Sequence, residues 1–246
     1  MRDIYKYGKE YKELPFEKYQ VKYRRKKVLE LLKKYKHKSV LEIGCGEEPL
    51  FMHEDSVVNW VVVEPNKEFF QKAEMLSGSN AKCINNTLEN AVDEIKQMNI
   101  EFEYIICSSL LHEVEDKSQL LNAIKKLCST DTIIHINVPN AKSLHRIIAY
   151  EMGIVDNIYK KSETQEKMQQ SDIVYDYEKL SKYVEKFGFE IIENGSYFIK
   201  PLTHKQMQQC FDKNIFDEKI LSGFYGLAKY LPEFGSEIYI QAKIKR

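Results

Sequence analysis

The chain has 246 residues, and 37 Lys+Arg balance 37 Asp+Glu, so its formal net charge at pH 7 is zero. That length suits one well-buried α/β unit with decorations and is short for two. The balance provides no bulk field that would draw the chain to nucleic acid or to a membrane surface. No run approaches the roughly 18 apolar residues of a membrane span. The charged start, Met1 to Lys6, lacks the apolar stretch of a secretion signal. Five scattered cysteines without a Cys-x-x-Cys pair read as reduced and structural, so a cytoplasmic chain without a bound metal is expected.

Residues 1–16 are rich in Tyr, Lys and Glu and read as a loosely ordered lead. The spacing predicts a helix over 17–36, with Val21, Val28, Leu31, Leu32 and Tyr35 on one face. Lys22, Arg24, Arg25, Lys26, Lys33 and Lys34 fall on the other. Such a run can meet nucleic acid, but a solvated helix face is its commoner origin.

Val40 to Ile43 is a short apolar run that breaks into Gly44-Cys45-Gly46, the pattern of a buried parallel strand entering a tight loop. Gly44 and Gly46 lack a Cβ, which permits positive φ and lets the backbone lie against a ligand. In open α/β sheets this loop is where nucleosides bind. A dinucleotide fingerprint wants a third glycine where Pro49 stands. Glu42, Glu47 and Glu48 would also repel a pyrophosphate, whereas acid suits the sulfonium and ammonium of S-adenosylmethionine. Val-Leu-Glu-Ile-Gly-Cys-Gly resembles the first motif of class I S-adenosylmethionine-dependent methyltransferases, with Glu48 in place of the motif's third small residue. The resemblance implies a Rossmann-like, doubly wound α/β fold: a seven-stranded, mostly parallel sheet with an antiparallel last strand, decorated by helical lid insertions. It also implies S-adenosylmethionine as cofactor, S-adenosylhomocysteine as product, and a cofactor-covering role for segment 1–37.

A second strand, residues 59–66, ends in Glu64-Pro65, about twenty residues beyond the glycines, where a carboxylate can accept both ribose hydroxyls. A solvent-exposed strand end is the plainer alternative. A helix over 67–76 follows, then a strand over 81–84. The resemblance sets the adenine edge against Asn86, Thr87 and Leu88; taken alone, Thr87 reads as a helix cap. After a helix over 88–98, Glu103 to Asp116 reads as a buried strand opening into a polar turn. It resembles the fourth motif of quinone-type and related small-molecule methyltransferases. In that family the strand end, here Ser108 and Ser109, lines the sulfonium, and the following histidine, here His112, closes the pocket. The Asn/Asp-Pro-Pro-aromatic turn of nucleobase N-methylating enzymes is absent here.

A helix over 118–128 leads to a fifth strand over 132–140, where His135 and Asn137 alternate with apolar residues; a hydrogen-bonded core histidine is expected at 135. Val-Pro-Asn-Ala-x-Ser-Leu-His-Arg resembles bacterial methyltransferases that modify small molecules and surface-polysaccharide precursors. Their Gly-His pair is missing before Val174-Tyr175-Asp176, and its role does not carry over. A helix over 177–187, a sixth strand in two pieces (189–192 and 197–199), helical runs near 204–211 and 217–230, and a last strand over 237–244 complete the chain. Segments 140–175 and 200–235 read as lid insertions of one domain spanning 1–246.

Methyl transfer is an in-line displacement, so positioning supplies most of its acceleration. A base is needed only for a hydroxyl or charged amine acceptor. His112 and His145 are the base candidates; His112 reads equally as a pocket-shaping residue, and His145 with Arg146 as an ordinary surface pair. Arg146, Lys200 and Tyr175 are the candidate acceptor contacts. Glu42, Gly44, Cys45, Gly46, Glu64, Pro65, Asn86, Thr87, Leu88, Ser108 and Ser109 are the candidate cofactor contacts. The expected acceptor is small and polar or anionic. RNA or protein methylation, non-catalytic cofactor binding and an NAD enzyme are the alternatives.

Overall fold

A computed structural model describes residues 14–161, 166 and 173–245. Strands β1 (Ser39–Ile43), β2 (Asn59–Val63), β3 (Ala81–Ile84), β4 (Tyr104–Ser108), β5 (Ile133–Pro139), β6 (Phe189–Tyr197) and β7 (Glu237–Ile244) form one sheet in the order β3-β2-β1-β4-β5-β7-β6. Only β7 runs antiparallel to its neighbours, so the expected Rossmann-like architecture is present. The helices are α1 (Glu17–Leu32), α2 (Lys67–Leu76), α3 (Leu88–Gln97), α4 (Lys117–Leu127), α5 (Leu144–Glu151), α6 (Tyr177–Glu185), α7 (His204–Asp212) and α8 (Glu218–Gly226). None of the described helices is long and apolar enough to cross a membrane.

Successive strand residues face opposite layers. Leu41, Ile43, Val61, Val63 and Ile105 point to one side, where α3, α4 and α6 bury Ala91, Ile95, Leu121, Ile124, Leu180 and Val184. Val40, Trp60, Val62, Tyr104 and Ile106 point to the other, against Val28 and Leu32 of α1 and a 3₁₀ turn carrying Leu50 and Phe51. Each such aliphatic side chain contributes about 1.5–3 kcal/mol by leaving water. A third cluster joins Phe16, Tyr19, Tyr23 and Leu31 to Tyr197, Phe198, Tyr239, Met207 of α7 and Leu221 of α8. The 200–235 segment thus packs on α1.

Four local expectations need correction. The leading helix stops at Leu32, and Lys34 and Tyr35 close tighter backbone turns on Leu31 and Leu32. Its buried face is Glu17, Tyr19, Gln20, Tyr23, Val28, Leu31 and Leu32, while Val21 is only half-buried. β6 is one strand rather than two pieces, because a bulge between Ile191 and Glu193 takes up the extra residue. Thr87 sits at the start of α3 without capping it through its side chain; Asn86 Oδ1 accepts from Thr87 N at 2.9 Å. The loose lead lies outside the described residues up to residue 13, but Phe16 is buried and stacks on Phe198 at 6.2 Å.

The inward turn of α1 has an electrostatic cause. Glu237, the first residue of β7, is 2% exposed. Its carboxylate accepts from Arg24 Nη2 at 2.7 Å, Gln20 Nε2 at 2.7 Å, Asn137 Nδ2 at 2.7 Å and Tyr197 Oη at 2.5 Å. Burial opposes its ionisation, but the Arg24 charge and these donors outweigh that and bring its pKa down to about 2. Arg24 therefore leaves the solvated face assigned to it from sequence. Behind this carboxylate runs a satisfied polar chain. Tyr104 Oη donates to Gln241 at 2.8 Å, Gln241 Nε2 to His135 Nδ1 at 2.8 Å, and His135 Nε2 to Asn137 Oδ1 at 3.0 Å. His135 is thus a hydrogen-bonded core residue, held neutral by burial with its pKa down to about 4.

Removing one partner of a buried pair leaves the other charge uncompensated, which typically costs about 3–5 kcal/mol. Glu237→Gln is expected to lose stability on that scale in urea unfolding, and a loss below about 1 kcal/mol would reduce the pair to a surface-like contact.

Candidate active site

The sheet order reverses between β1 and β4, and ligands of such sheets bind at the carboxyl ends of the strands beside the reversal. The glycine loop stands there. Gly44 has φ 75° and Gly46 φ 60°, in the left-handed region glycine tolerates. A Cβ on Gly46 would meet nothing within 4 Å, so the loop backbone borders open space.

Glu64, 5% exposed, follows β2 and reaches this loop. Its Oε2 accepts from Gly46 N at 3.2 Å and its Oε1 from Asn66 N at 2.8 Å. Burial raises its pKa above the usual carboxylate range, while those backbone donors oppose the rise. A carboxylate has about four acceptor positions, so capacity for further donors remains. Glu42 lies beneath, with Oε2 accepting from Leu50 N at 3.0 Å. Burial foremost, and the Glu64 charge in addition, push Glu42 up to about 8. Both acids would gain from an arriving cation. Glu48 turns outward to Arg25 at 2.7 Å and His53 at 2.9 Å, so it does not fill the loop. The Cys45 thiol approaches Glu64 Oε2 at 3.9 Å, and burial raises its pKa.

Along the edge toward β3, Asn85 Nδ2 donates to Glu64 O at 2.9 Å and Pro65 O at 3.3 Å, a tether not expected from sequence. Asn86 and Thr87 are half-buried, and the Leu88 side chain packs into the core. In the other direction, Ser108 ends β4 and Ser109 has φ 54°, its N–H donating to Asn137 O at 3.1 Å. His112 is 4% exposed. Its Nε2 lies 3.2 Å from Glu113 Oε1, and its Nδ1 is buried without a partner.

Beyond β5, Ser143 Oγ and His145 Nδ1 are also buried without partners. Burial and the charges of Lys200, His204 and Arg146 hold His145 well below its ordinary pKa. Arg146, expected as an acceptor contact, is engaged within the chain. Its guanidinium donates to Ile158 O at 3.0 Å and to Lys160 O, because the turn after α5 leaves those carbonyls open. Tyr175 is core, its ring 6.4 Å from that of Tyr183 and its hydroxyl unpartnered. Lys200, 4% exposed just past β6, is driven by burial to a pKa of about 7. His204 Nδ1 stands 3.7 Å from Glu17 Oε2. Glu113, Glu17 and His204 were not singled out from sequence; the adjacency of Glu113 to His112 was the one readable sign. Among the described residues no group of three or more His, Cys, Asp or Glu could hold a metal ion.

A family profile described as a methyltransferase domain matches residues 16–194. No curated protein sequence matches the chain. In fold it is similar to an S-adenosylmethionine-dependent methyltransferase from Mesorhizobium loti (12% identity, TM-score 0.56, 83% of this chain and 90% of that one). It is also similar to a putative S-adenosylmethionine-dependent methyltransferase from Listeria monocytogenes (13%, TM-score 0.55, 89% and 96%). The plantazolicin methyltransferase BpumL, solved with a triazolic desmethylPZN analog and SAH, is a third neighbour (17%, TM-score 0.56, 98% and 90%).

Burial of Lys200 carries a sign that can be checked. Its folded pKa lies below its ordinary 10.5, so the unfolded chain binds more protons between pH 7 and 10.5, and stability rises with pH across that window. Lys200→Met should therefore raise the unfolding midpoint most near pH 6 and less as pH climbs above 7; an advantage that grows with pH would contradict the burial argument.

Proposed function

The chain belongs to the methyltransferase-domain family and is an S-adenosylmethionine-dependent methyltransferase; we propose that it methylates a small polar or anionic acceptor held over β4, β5 and β7. When bound, the cofactor supplies an electrophilic methyl group on a sulfonium. The observation that carries the reading is the acid-lined opening above Gly46, where Glu42 and Glu64 are buried and both raised in pKa. That donor set fits a cationic nucleoside and resists a diphosphate.

Glu64 accepts the ribose hydroxyls, Gly44, Cys45 and Gly46 present backbone to the methionine end, and Glu42 counters its ammonium. Pro65, Asn86, Thr87 and Leu88 would hold the base, and Ser108 and Ser109, at the end of β4, would line the sulfonium. His112 is the general base for a hydroxyl or amine acceptor. Its buried Nδ1, without a partner among the described residues, would take the proton released by the acceptor. His145 is the weaker candidate, since burial and nearby positive charge depress its basicity. The whole chain works as one unit, with α1 as cover and segments 140–175 and 200–235 enclosing the acceptor. A surface-polysaccharide precursor is one acceptor class of this kind.

A charge-assisted hydrogen bond is worth about 1.5–3 kcal/mol, so Glu64→Ala should weaken S-adenosylhomocysteine binding at least tenfold by calorimetry. Unchanged affinity would remove Glu64 from the cofactor. His112→Ala should leave that affinity intact and lower kcat by about 10²–10⁴ on an identified hydroxyl or amine acceptor; undiminished turnover would return the base to His145 or to none.

A further inference from the structure

Lys200 carries a charge that its surroundings do not pair. Among the described residues its ammonium makes no hydrogen bond or ion pair. The two acids that act on it most, Glu17 and Glu237, are engaged by Arg24 at 3.4 and 2.7 Å. Gln20, Asn137 and Tyr197 also hold Glu237. Two imidazoles share this corner, and after burial Lys200 is the strongest influence on both His145 and His204. His145 Nδ1 is sealed from solvent without a partner. Phe16 closes the corner, its ring 6.0 Å from that of His204. An isolated buried ammonium is costly unless something pairs it.

Position separates this corner from the reacting centre. Adjacent strands lie about 4.8 Å apart, and β6 stands three places from β4 in the sheet, so the exit of β6 is roughly 14 Å along the edge from the segment bearing His112. A group held there anchors a molecule by its far end.

We propose that Lys200, flanked by His145 and His204, forms a subsite for a carboxylate at the end of the acceptor remote from the methylated atom. The assignment rests on the methyl-transfer reading above and narrows its acceptor to one bearing a carboxylate. A carboxylate supplies the missing counter-charge and lone pairs, and the imidazoles add N–H donors. One ammonium beside two neutral rings matches a monoanion better than a phosphate dianion. The nearby guanidiniums that would suit phosphate are committed, Arg24 to Glu237 and Arg146 to backbone carbonyls.

The test titrates the protein loaded with S-adenosylhomocysteine with acetate and, separately, inorganic phosphate. The His145 and His204 ring signals are followed by NMR, and cofactor affinity is measured on the same samples. Acetate is expected to give a saturable shift of both rings that chloride at equal ionic strength does not. That binding should weaken at least tenfold in Lys200→Met with cofactor affinity retained. A reading that needs no variant is acetate binding at pH 6 against pH 9. Acetate keeps its charge, as do Arg24 and Glu237, and burial keeps both imidazoles neutral, so loss of the Lys200 proton should weaken binding at least tenfold. No saturable shift, equal binding at the two pH values, or binding that survives Lys200→Met overturns the subsite, and tighter binding of phosphate overturns the carboxylate. A protein that binds cofactor but ignores acetate refutes only this subsite, whereas wild-type protein that binds no cofactor refutes the reading beneath it.

Discussion

The carboxylate of Glu237 is the constraint on which the β5–β7–β6 half of the molecule depends. It sits at the first residue of β7 and draws donors from α1, β5 and β6 at once. A buried carboxylate with so many donors is stable only if each donor's parent element is in place. The position of α1 over the strand ends is thereby tied to the register of β5, β6 and β7. Among the described residues the same arrangement gives Lys200 no direct partner, while Arg24 pairs Glu237, one of the acids that act on Lys200.

The zero net charge of the chain conceals a polarity along the carboxyl edge of the sheet. Buried acids, Glu42 and Glu64, stand at β1 and β2, and a buried base, Lys200, stands past β6. Burial disfavours the charged form of each, so a ligand of opposite charge would favour its ionisation. On the proposed reading a cationic cofactor takes the acidic end and an anionic acceptor the basic one, with His112, after β4, between them.

Much of the frame was legible because periodicity reports burial directly. Parallel strands buried on both faces read as continuous apolar runs, so β1, β2 and β4 were plain, and the glycines marked the loop. What was hidden is polar. The inner face of α1 contains Glu17, Gln20 and, turned inward beside them, Arg24, so an apolar-stripe rule pointed to Val21 and put Arg24 in water. The Glu193-Asn194-Gly195 stretch looked like a break in β6, yet it pairs with β7 beyond a one-residue bulge. Arg146 resembled an acceptor contact until the chain brought the carbonyls of Ile158 and Lys160 to it. Long-range pairing of buried charges leaves no local pattern, which is why the β1–β2 half was more readable than the β5–β7–β6 half.

The two histidines illustrate how far geometry can rank chemically identical candidates. Both have a sealed, unpartnered Nδ1, so solvent access does not divide them. Glu113 Oε1 lies 3.2 Å from the Nε2 of His112. Around His145 the neighbours are Lys200, His204 and Arg146, and each of them disfavours the protonated ring. Burial and neighbouring positive charge therefore count against His145 as a base, and the proposed carboxylate subsite gives it a hydrogen-bonding role in place of a proton-accepting one.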